Sequence, residues 1–330
     1  MLPWFQDRFP LYLAPMAGVT DSVFRQLAKE HGADVMVTEF VSAEGVFRRN
    51  ERTLEYLEFT DGERPLGVQL FGADPGHLGE AARMIAEWKQ PDFIDLNFGC
   101  PVNKVVSKNG GSSLLRDCPL LEKIARAVVA ASSVPVTAKI RIGWNAQTIN
   151  APLTARILED AGIAAVAVHG RTKEQGYSGA ADWDVIAQAA AAVRIPVIGN
   201  GDLASARDVA ARMDTGVSGV MLGRAAMSAP WIFAEIKHFL ATGELLPPPP
   251  LEAQWAHIRR HCALNADRRG DEVSAMHAMR SRLMAYSRGM PDAKSLRAKF
   301  QHVSTLCELD DIAAENLTLN TELALPVFTT

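Results

Sequence analysis

Phe93-Ile94-Asp95-Leu96-Asn97-Phe98-Gly99-Cys100-Pro101 is a short apolar run that stops abruptly at an amide, a glycine, a thiol and a proline. A run of that length, closed by turn residues, reads as a buried strand. Glycine and proline end the ladder and force the chain to turn. Asn97 and Cys100 are therefore expected at the strand's exit, facing whatever the strand points at. A cysteine there is either a buried filler or a proton-bearing group held over a ligand.

The same pattern recurs on both sides of this segment. Strands are predicted at Leu11–Pro15, Asp34–Glu39, Leu66–Phe71, Phe93–Asn97, Val136–Ile142, Ala164–His169, Pro196–Asn200 and Gly219–Gly223. The spacers carry apolar residues at helical period, as in Leu78, Ala81, Ala82, Ile85 and Ala86. Strict alternation of strand and helix means right-handed βαβ units and a parallel sheet. Eight such units match a (β/α)8 TIM barrel of ~250 residues. A doubly wound open sheet is disfavoured because no G-x-G-x-x-G opens the first helix. Pro247-Pro248-Pro249-Pro250 then makes a stiff spacer. The chain thus divides into a barrel over 1–246, a linker over 247–250 and a smaller all-helical region over 251–330. Its last residues, around Leu319–Thr330, give no clear reading.

Composition sets the outer limits. Of 330 residues, 48% are hydrophobic and 22% charged, which is ordinary for a globular protein. No apolar stretch reaches the ~20 residues of a membrane span, and the opening residues lack the layout of a secretory signal. No membrane association and a cytoplasmic location are expected. The four cysteines, Cys100, Cys118, Cys262 and Cys307, form no C-x-x-C pair, so neither a metal site nor a disulfide framework is expected. Cys118, Cys262 and Cys307 read as packing residues. Nothing in the sequence points to a protein partner. The formal charge is −4, but residues 256–302 hold ten Lys/Arg (Arg259, Arg260, Arg268, Arg269, Arg280, Arg282, Arg288, Lys294, Arg297, Lys299) against four acids. That window is +6, leaving −10 for the remainder. Such asymmetry points either to a polyanionic partner or to a solvated basic helix face.

In a parallel barrel the functional site lies at the carboxyl ends of the strands. Polar residues cap nearly every predicted strand at that end. The turns Gly199-Asn200-Gly201-Asp202 and Gly223-Arg224 follow strands seven and eight, where barrel enzymes bind phosphate. Glycine admits backbone N–H groups to an anion, and Arg224 supplies a charge-assisted contact. Lys139 sits inside an otherwise apolar strand, which is costly unless an anion meets it. Glu39 is one such partner. A flavin ring is the better one, because an ammonium stabilises the reduced anion. Gln69 would meet the same ring's edge or serve as a buried core amide, and His169 reads as a cofactor contact beside Lys139. Cys100 has no neighbouring histidine or aspartate in sequence to activate it. A thiol of ordinary pKa, roughly 8.5, stays protonated near neutrality and suits a general acid.

Taken together, these segments resemble the tRNA-dihydrouridine synthases. The matching elements are APMAGVTD (14–21), TEFVSAEG (38–45), VQLFG (68–72), DLNFGCP (95–101), GGSSLL (110–115), AKIRIGW (138–144), HGRTKEQGY (169–177), IGNGD (198–202) and GVMLGRAAM (219–227). KEQGY after HGRT is like one bacterial branch, whereas NKVVSKNGGSSLL leans toward another. The resemblance implies bound FMN, reduced by NADPH (or NADH), passing hydride to C6 of a uridine in tRNA while Cys100 protonates C5. It implies that Pro15, Met16 and Ala17 line the flavin and that Gln69, Lys139 and His169 contact its ring or ribityl chain. Asn200, Gly201, Asp202, Gly223 and Arg224 would take the phosphate side. Asn97 would hold the uracil edge, with Arg141 and Arg171 orienting substrate. The helical region would bind tRNA. A flavin barrel acting on a free small molecule is the competing expectation. It would not need the basic helical region.

Overall fold

The structure, a computed structural model, describes residues 2–6 and 8–324. Residues 325–330, the end of the segment that gave no reading, lie outside the described residues. The strands are β1 (Leu11–Leu13), β2 (Met36–Val37), β3 (Val41–Ser42), β4 (Leu66–Phe71), β5 (Phe93–Phe98), β6 (Val136–Arg141), β7 (Val166–His169), β8 (Val197–Asn200) and β9 (Gly219–Leu222). All pairings between them are parallel, in the order β1-β9-β8-β7-β6-β5-β4-β2, with β3 extending the edge of β4. Leu11 stands opposite Val220. A bridge from Tyr12 to Val35 closes the ring on the other side. Closure rules out the open sheet.

The first strand is shorter than expected, because Pro15 cannot supply an N–H to the ladder. The second is split into β2 and β3 around Thr38–Phe40. Its Thr38 side chain bonds its neighbour's carbonyl, and its Glu39 carboxylate bonds the amide of Gly18 at 2.7 Å. The barrel helices are α1 (Ser22–Glu30), α2 (Ala43–Phe47), α3 (Glu51–Glu55), α4 (Pro75–Trp88), α5 (Asn103–Val106), α6 (Cys118–Ala131), α7 (Ala151–Asp160), α8 (Trp183–Ala191), α9 (Ala206–Ala210), α10 (Arg224–Ser228) and α11 (Ile232–Thr242). Several begin on an aspartate whose carboxylate accepts an N–H of the first turn: Asp21, Asp74, Asp117 and Asp182.

Inside the barrel the two ends differ in chemistry. Tyr12, Val35, Val37, Phe93, Ala167, Ile198 and Met221 form an apolar cluster with Leu2, against which Trp4 and Phe5 pack. Trp4 Nε1 donates to the Tyr12 hydroxyl at 2.6 Å. Two residues further along β5, β6, β7 and β8 the inward positions turn polar: Asp95 and Asn97, Thr137 and Lys139, His169, Asn200. Glycines make room where large side chains fill the layers. A Cβ on Gly67 would stand 2.1 Å from the Phe93 ring, and one on Gly199 would stand 2.4 Å from Trp183. Packing against Trp183 is thus enough to require glycine at 199.

The chain separates into two compact units: residues up to Ala225 with Trp231–Gly243, and Ala226–Pro230 with the chain from Glu244 onward. In the second, α12 (Leu251–Arg269), α13 (Glu272–Tyr286), α14 (Ala293–Phe300) and α15 (Leu306–Ala324) enclose Trp255, Ile258, Cys262, Met276, Met279, Leu283, Tyr286, Phe300 and Leu309. Gly270 ends α12 at φ +67°, a left-handed cap that suits glycine. Cys262 packs as expected. Cys307 does not; it is exposed, because it falls on the outer side of α15's first turn. The basic window is also corrected. Arg282 is only 5% exposed, on the face of α13 that carries Met279 and Leu283 inward. Arg280 is spent on the carbonyls of His302 and Val303. Arg259 and Lys299 pair with Asp310 and Glu315 of α15.

One buried ion pair anchors the first helix. Arg25 Nε lies 2.6 Å from Glu63 Oε2, both side chains being at most 2% exposed. Its remaining nitrogens donate to the carbonyls of Thr20 and Glu58, and Ser22 Oγ donates to Glu63 Oε1. Removing one partner leaves the other charge buried and unmatched. Glu63→Leu should therefore destabilise the barrel unit by about 3–5 kcal/mol in denaturant melts. A loss under 1 kcal/mol, roughly that of an exposed pair, would contradict this reading.

Candidate active site

Strand register assembles the polar end of the barrel. Gln69 is opposite Asp95, Asn97 is opposite Lys139, Arg141 is opposite His169, and His169 is opposite Asn200. Six of the residues singled out in the sequence thus stand side by side on β4 to β8. Cys100 follows directly on β5, 8% exposed, with its backbone N–H donated to Asn97 Oδ1 at 2.8 Å. Its carbonyl accepts from Ser112, which ties the turn to Gly110-Gly111-Ser112. A Cβ on Gly111 would meet the Cys100 carbonyl at 2.8 Å, and its φ is +59°. Only glycine fits there. Burial pushes the Cys100 thiol up, against the weaker pull of the Val102 amide, Arg141 and Lys139. The thiol holds its proton at neutral pH.

Lys139 Nζ donates to Asn200 Oδ1 at 3.2 Å, and among the described residues no carboxylate lies within ion-pair distance of it. Glu39, the sequence-level alternative, is engaged by Gly18. Burial, and then the Arg141 charge, lower the Lys139 ammonium to about 8. His169 is held lower still. Burial and the surrounding Lys139, Arg141, Arg171 and Arg224 bring its imidazole down to about 2. Its Nε2 lies 3.5 Å from Arg171 Nη1. A guanidinium can only donate, so Nε2 is the unprotonated nitrogen and Nδ1 carries the hydrogen.

The arginines divide by task. Arg141 is 3% exposed and donates to the carbonyls of Gly99, Thr172 and Gly176. Arg171 is 2% exposed and donates to Gly179 and to both oxygens of Asp202. Both therefore fasten the loops of the mouth. Asp202, at φ +52°, also accepts from Arg224 Nη2 at 3.1 Å and from the Ala181 amide. Burial alone would raise the Asp202 carboxyl, but these partners outweigh it and hold it below the usual range. Arg224 keeps half of its side chain exposed. Gly201, at φ +125°, is confined by Ala181 and His169. Gly223 faces Met16, whose neighbours Pro15 and Ala17 are partly or fully exposed beside it. Among the described residues no cluster of His, Cys, Asp or Glu is placed to hold a metal ion, and no helix is long and apolar enough to cross a membrane.

The family model for dihydrouridine synthase (Dus) matches residues 12–322. The chain belongs to the dihydrouridine synthase family. It is 43% identical over 298 residues to tRNA-dihydrouridine synthase B of Xanthomonas campestris pv. campestris, covering 89% of this chain and 88% of that one. It is 44% identical over 297 residues to tRNA-dihydrouridine synthase B of Pseudomonas aeruginosa, with the same two coverages. A probable tRNA-dihydrouridine synthase of Rickettsia bellii is 42% identical over 289 residues, covering 87% of this chain and 88% of that one.

Two residues of this synthase's mouth escaped the sequence reading. Tyr177 is 62% exposed, with the Arg224 and Arg141 guanidinium carbons 5.0 and 5.8 Å from its ring centre. Its position at the end of HGRTKEQGY was the available signal. Asp95 looked like an ordinary strand residue, yet its carboxylate accepts from Gln69 Nε2 and Thr137 Oγ1, each at 2.6 Å.

The neutral His169 makes the barrel unit sensitive to acid. Its folded pKa, about 2, lies below the unfolded value of 6.5, so the unfolded chain takes up a proton that the folded one refuses. That stability is complete above pH 6.5 and declines by about 1.4 kcal/mol per pH unit below it. His169→Gln should flatten the loss between pH 6.5 and pH 5 by one proton's slope, measured in urea melts. An unchanged slope would show that His169 already protonates in the folded state.

Proposed function

We propose that this synthase reduces the C5=C6 bond of a uridine in tRNA, with FMN resident in the barrel mouth and NADPH as its reductant. The observation that carries the reading is a buried, protonated Cys100 on the same rim as Lys139 and His169. The donor set fits the flavin. Lys139 offers a positive charge that no carboxylate among the described residues contacts, Asp95 attracting it only from beyond ion-pair distance, and the half-exposed Arg224 offers another beside the Gly201 and Gly223 turns. Lys139, Gln69 and His169 would face the ring system, Pro15, Met16 and Ala17 would line it, and Asn200, Gly201, Gly223 and Arg224 would hold the phosphate side, with Asp202 orienting Arg224. Bound and reduced, FMN supplies the hydride added at uracil C6.

The chain's own residues do the rest. Hydride addition to a double bond conjugated with a carbonyl leaves an enolate that needs one proton at C5, and Cys100 Sγ holds that proton. Arg141 and Arg171 keep the loops that frame the uracil in place through their carbonyl contacts. Asn97, its oxygen committed to the Cys100 turn, has the remaining NH2 hydrogen to offer the uracil edge. Neutral His169, its Nε2 already facing Arg171 Nη1, has its Nδ1 hydrogen to donate. A uridine of folded tRNA must leave its stack to enter such a mouth, and the helical region after Pro247–Pro250 is the proposed docking surface, reading backbone and shape. The reading puts the protein in the cytoplasm with its substrate.

Cys100→Ala should keep its flavin and its NADPH oxidation while dihydrouridine formation in tRNA falls by about 10²–10⁴-fold. Wild-type product formation would refute the acid role. Equal rates on free uridine and on tRNA would instead favour a small-molecule reductase. For docking, the exposed Arg288, Lys294 and Arg297 are the positions to reverse. The triple Glu variant should weaken tRNA binding and flatten its salt dependence by about 0.7–0.9 in log–log slope for each phosphate left without its cation. Unaltered affinity and slope would put the docking surface elsewhere.

A further inference from the structure

Gly99 and Cys100 aim their backbone N–H groups at one atom, Asn97 Oδ1, at 3.2 and 2.8 Å. A backbone nitrogen can only donate, so the oxygen of Asn97, and not its NH2, must face the turn. Asn97 Nδ2 then donates to Gln69 Oε1 at 2.8 Å. That turns the Gln69 NH2 the other way, onto Asp95 Oδ2 at 2.6 Å. The orientation of both amides follows from the turn, and the last member of the series has to accept. All three side chains are buried: Gln69 at 0%, Asp95 at 4% and Asn97 at 7% exposure.

We propose that Asp95 is a positioning residue for Cys100: as the terminal acceptor of the series Asp95–Gln69–Asn97, it holds the turn that carries the thiol. The proposal rests on the acid role of Cys100 given above. Without an acceptor at position 95, the Gln69 NH2 is buried without a partner, and Asn97 is left held by the two N–H groups of the turn without firm support from Gln69 behind it. An Asn97 turned end for end would present its NH2 to the N–H groups of Gly99 and Cys100, donor against donor. The turn would shift, and a displacement near 1 Å at a reacting group costs on the order of 10²-fold in rate.

The test uses the flavin-loaded full chain with four variants: Asp95→Leu, Asp95→Asn, Asn97→Asp, and the last two combined. Two quantities are measured: dihydrouridine formation in tRNA, and the pH profile of iodoacetamide modification at Cys100, read by peptide mass. Asp95→Leu should lower kcat by roughly 10²-fold with KM for tRNA little changed, and should shift the Cys100 alkylation profile. Asp95→Asn should stay near wild type in both, since its oxygen can accept from Gln69 while its NH2 donates to Thr137 Oγ1. Asn97→Asp alone draws the Gln69 NH2 to itself and leaves two acceptors facing each other at Asp95. Adding Asp95→Asn supplies the missing donor and should return the alkylation profile to wild type. A profile untouched by Asp95→Leu, or no recovery in the double variant, overturns the proposal. If Asp95→Leu does not fold, the Asn97→Asp pair decides alone. Because alkylation is read independently of turnover, an active Cys100→Ala enzyme would sink the acid reading while leaving this outcome separate.

Discussion

Four cations, Lys139, Arg141, Arg171 and Arg224, crowd one end of the barrel, and the chemistry of the mouth follows from how their charge is shared. Asp202 answers Arg171 and Arg224 together. Arg141 is satisfied by three backbone carbonyls, which carry no full charge. Lys139 leans on the amide oxygen of Asn200, which is likewise neutral. Asp95 attracts Lys139 from beyond ion-pair distance, so at most two carboxylates stand against the four cations, and a positive surplus remains in a place where water screens it poorly. Burial first, and that field second, keep a proton off His169, so it stays a neutral acceptor among donors. An anion entering the mouth meets charge already in position, with no reorganisation needed.

The same field acts on Cys100, and there it loses. Lys139 and Arg141 favour a thiolate, but burial penalises the charged form more strongly, so the net shift is upward. Had the cations won, the sulfur would be a nucleophile at neutral pH, suited to covalent attack. A protonated thiol beside a positively charged pocket suits a different step, in which an enolate forms nearby and draws the proton across. Lys139 strengthens that division of labour, since its charge can serve an anion on one side while burial keeps the sulfur neutral on the other.

Much of this was legible in the sequence, and the parts that were not share one cause. Strand positions came through because closed barrel strands are short apolar runs, and each ends on a glycine, proline or polar residue. Lys139 and Cys100 stood out because a charge in an apolar strand and a thiol between glycine and proline are locally anomalous. Asp95 was invisible: nothing near it in sequence indicates that Gln69 and Thr137, on β4 and β6, will meet its two oxygens. The loop-fastening tasks of Arg141 and Arg171 were hidden for the same reason, as was Arg25–Glu63. Periodicity tells which face a residue is on. Partnership across strands depends on register, which only the closed sheet supplies.

The helical unit makes the complementary point about charge. The window 256–302 carries +6, but from residue 251 onward the chain holds ten basic and ten acidic residues. Most of the balancing acid lies on α15, where Asp310 and Glu315 pair with Arg259 and Lys299. Exposed pairs of this kind add little stability, but they cancel the field around the α15 side. The exposed basic residues elsewhere include Arg268 and Arg269 at the end of α12, Arg288 after α13, and Lys294 and Arg297 on α14. Arg268 and Arg269 also sit at a helix C-terminus, where cations are held favourably by the backbone dipole. A polyanion meets only acidic charge on α15, whereas the basic residues of α12 to α14 stand among the exposed Asp267, Asp271, Glu272 and Asp292. The confinement of all the basic residues to the chain before α15, more than net charge, gives the proposed tRNA contact a direction.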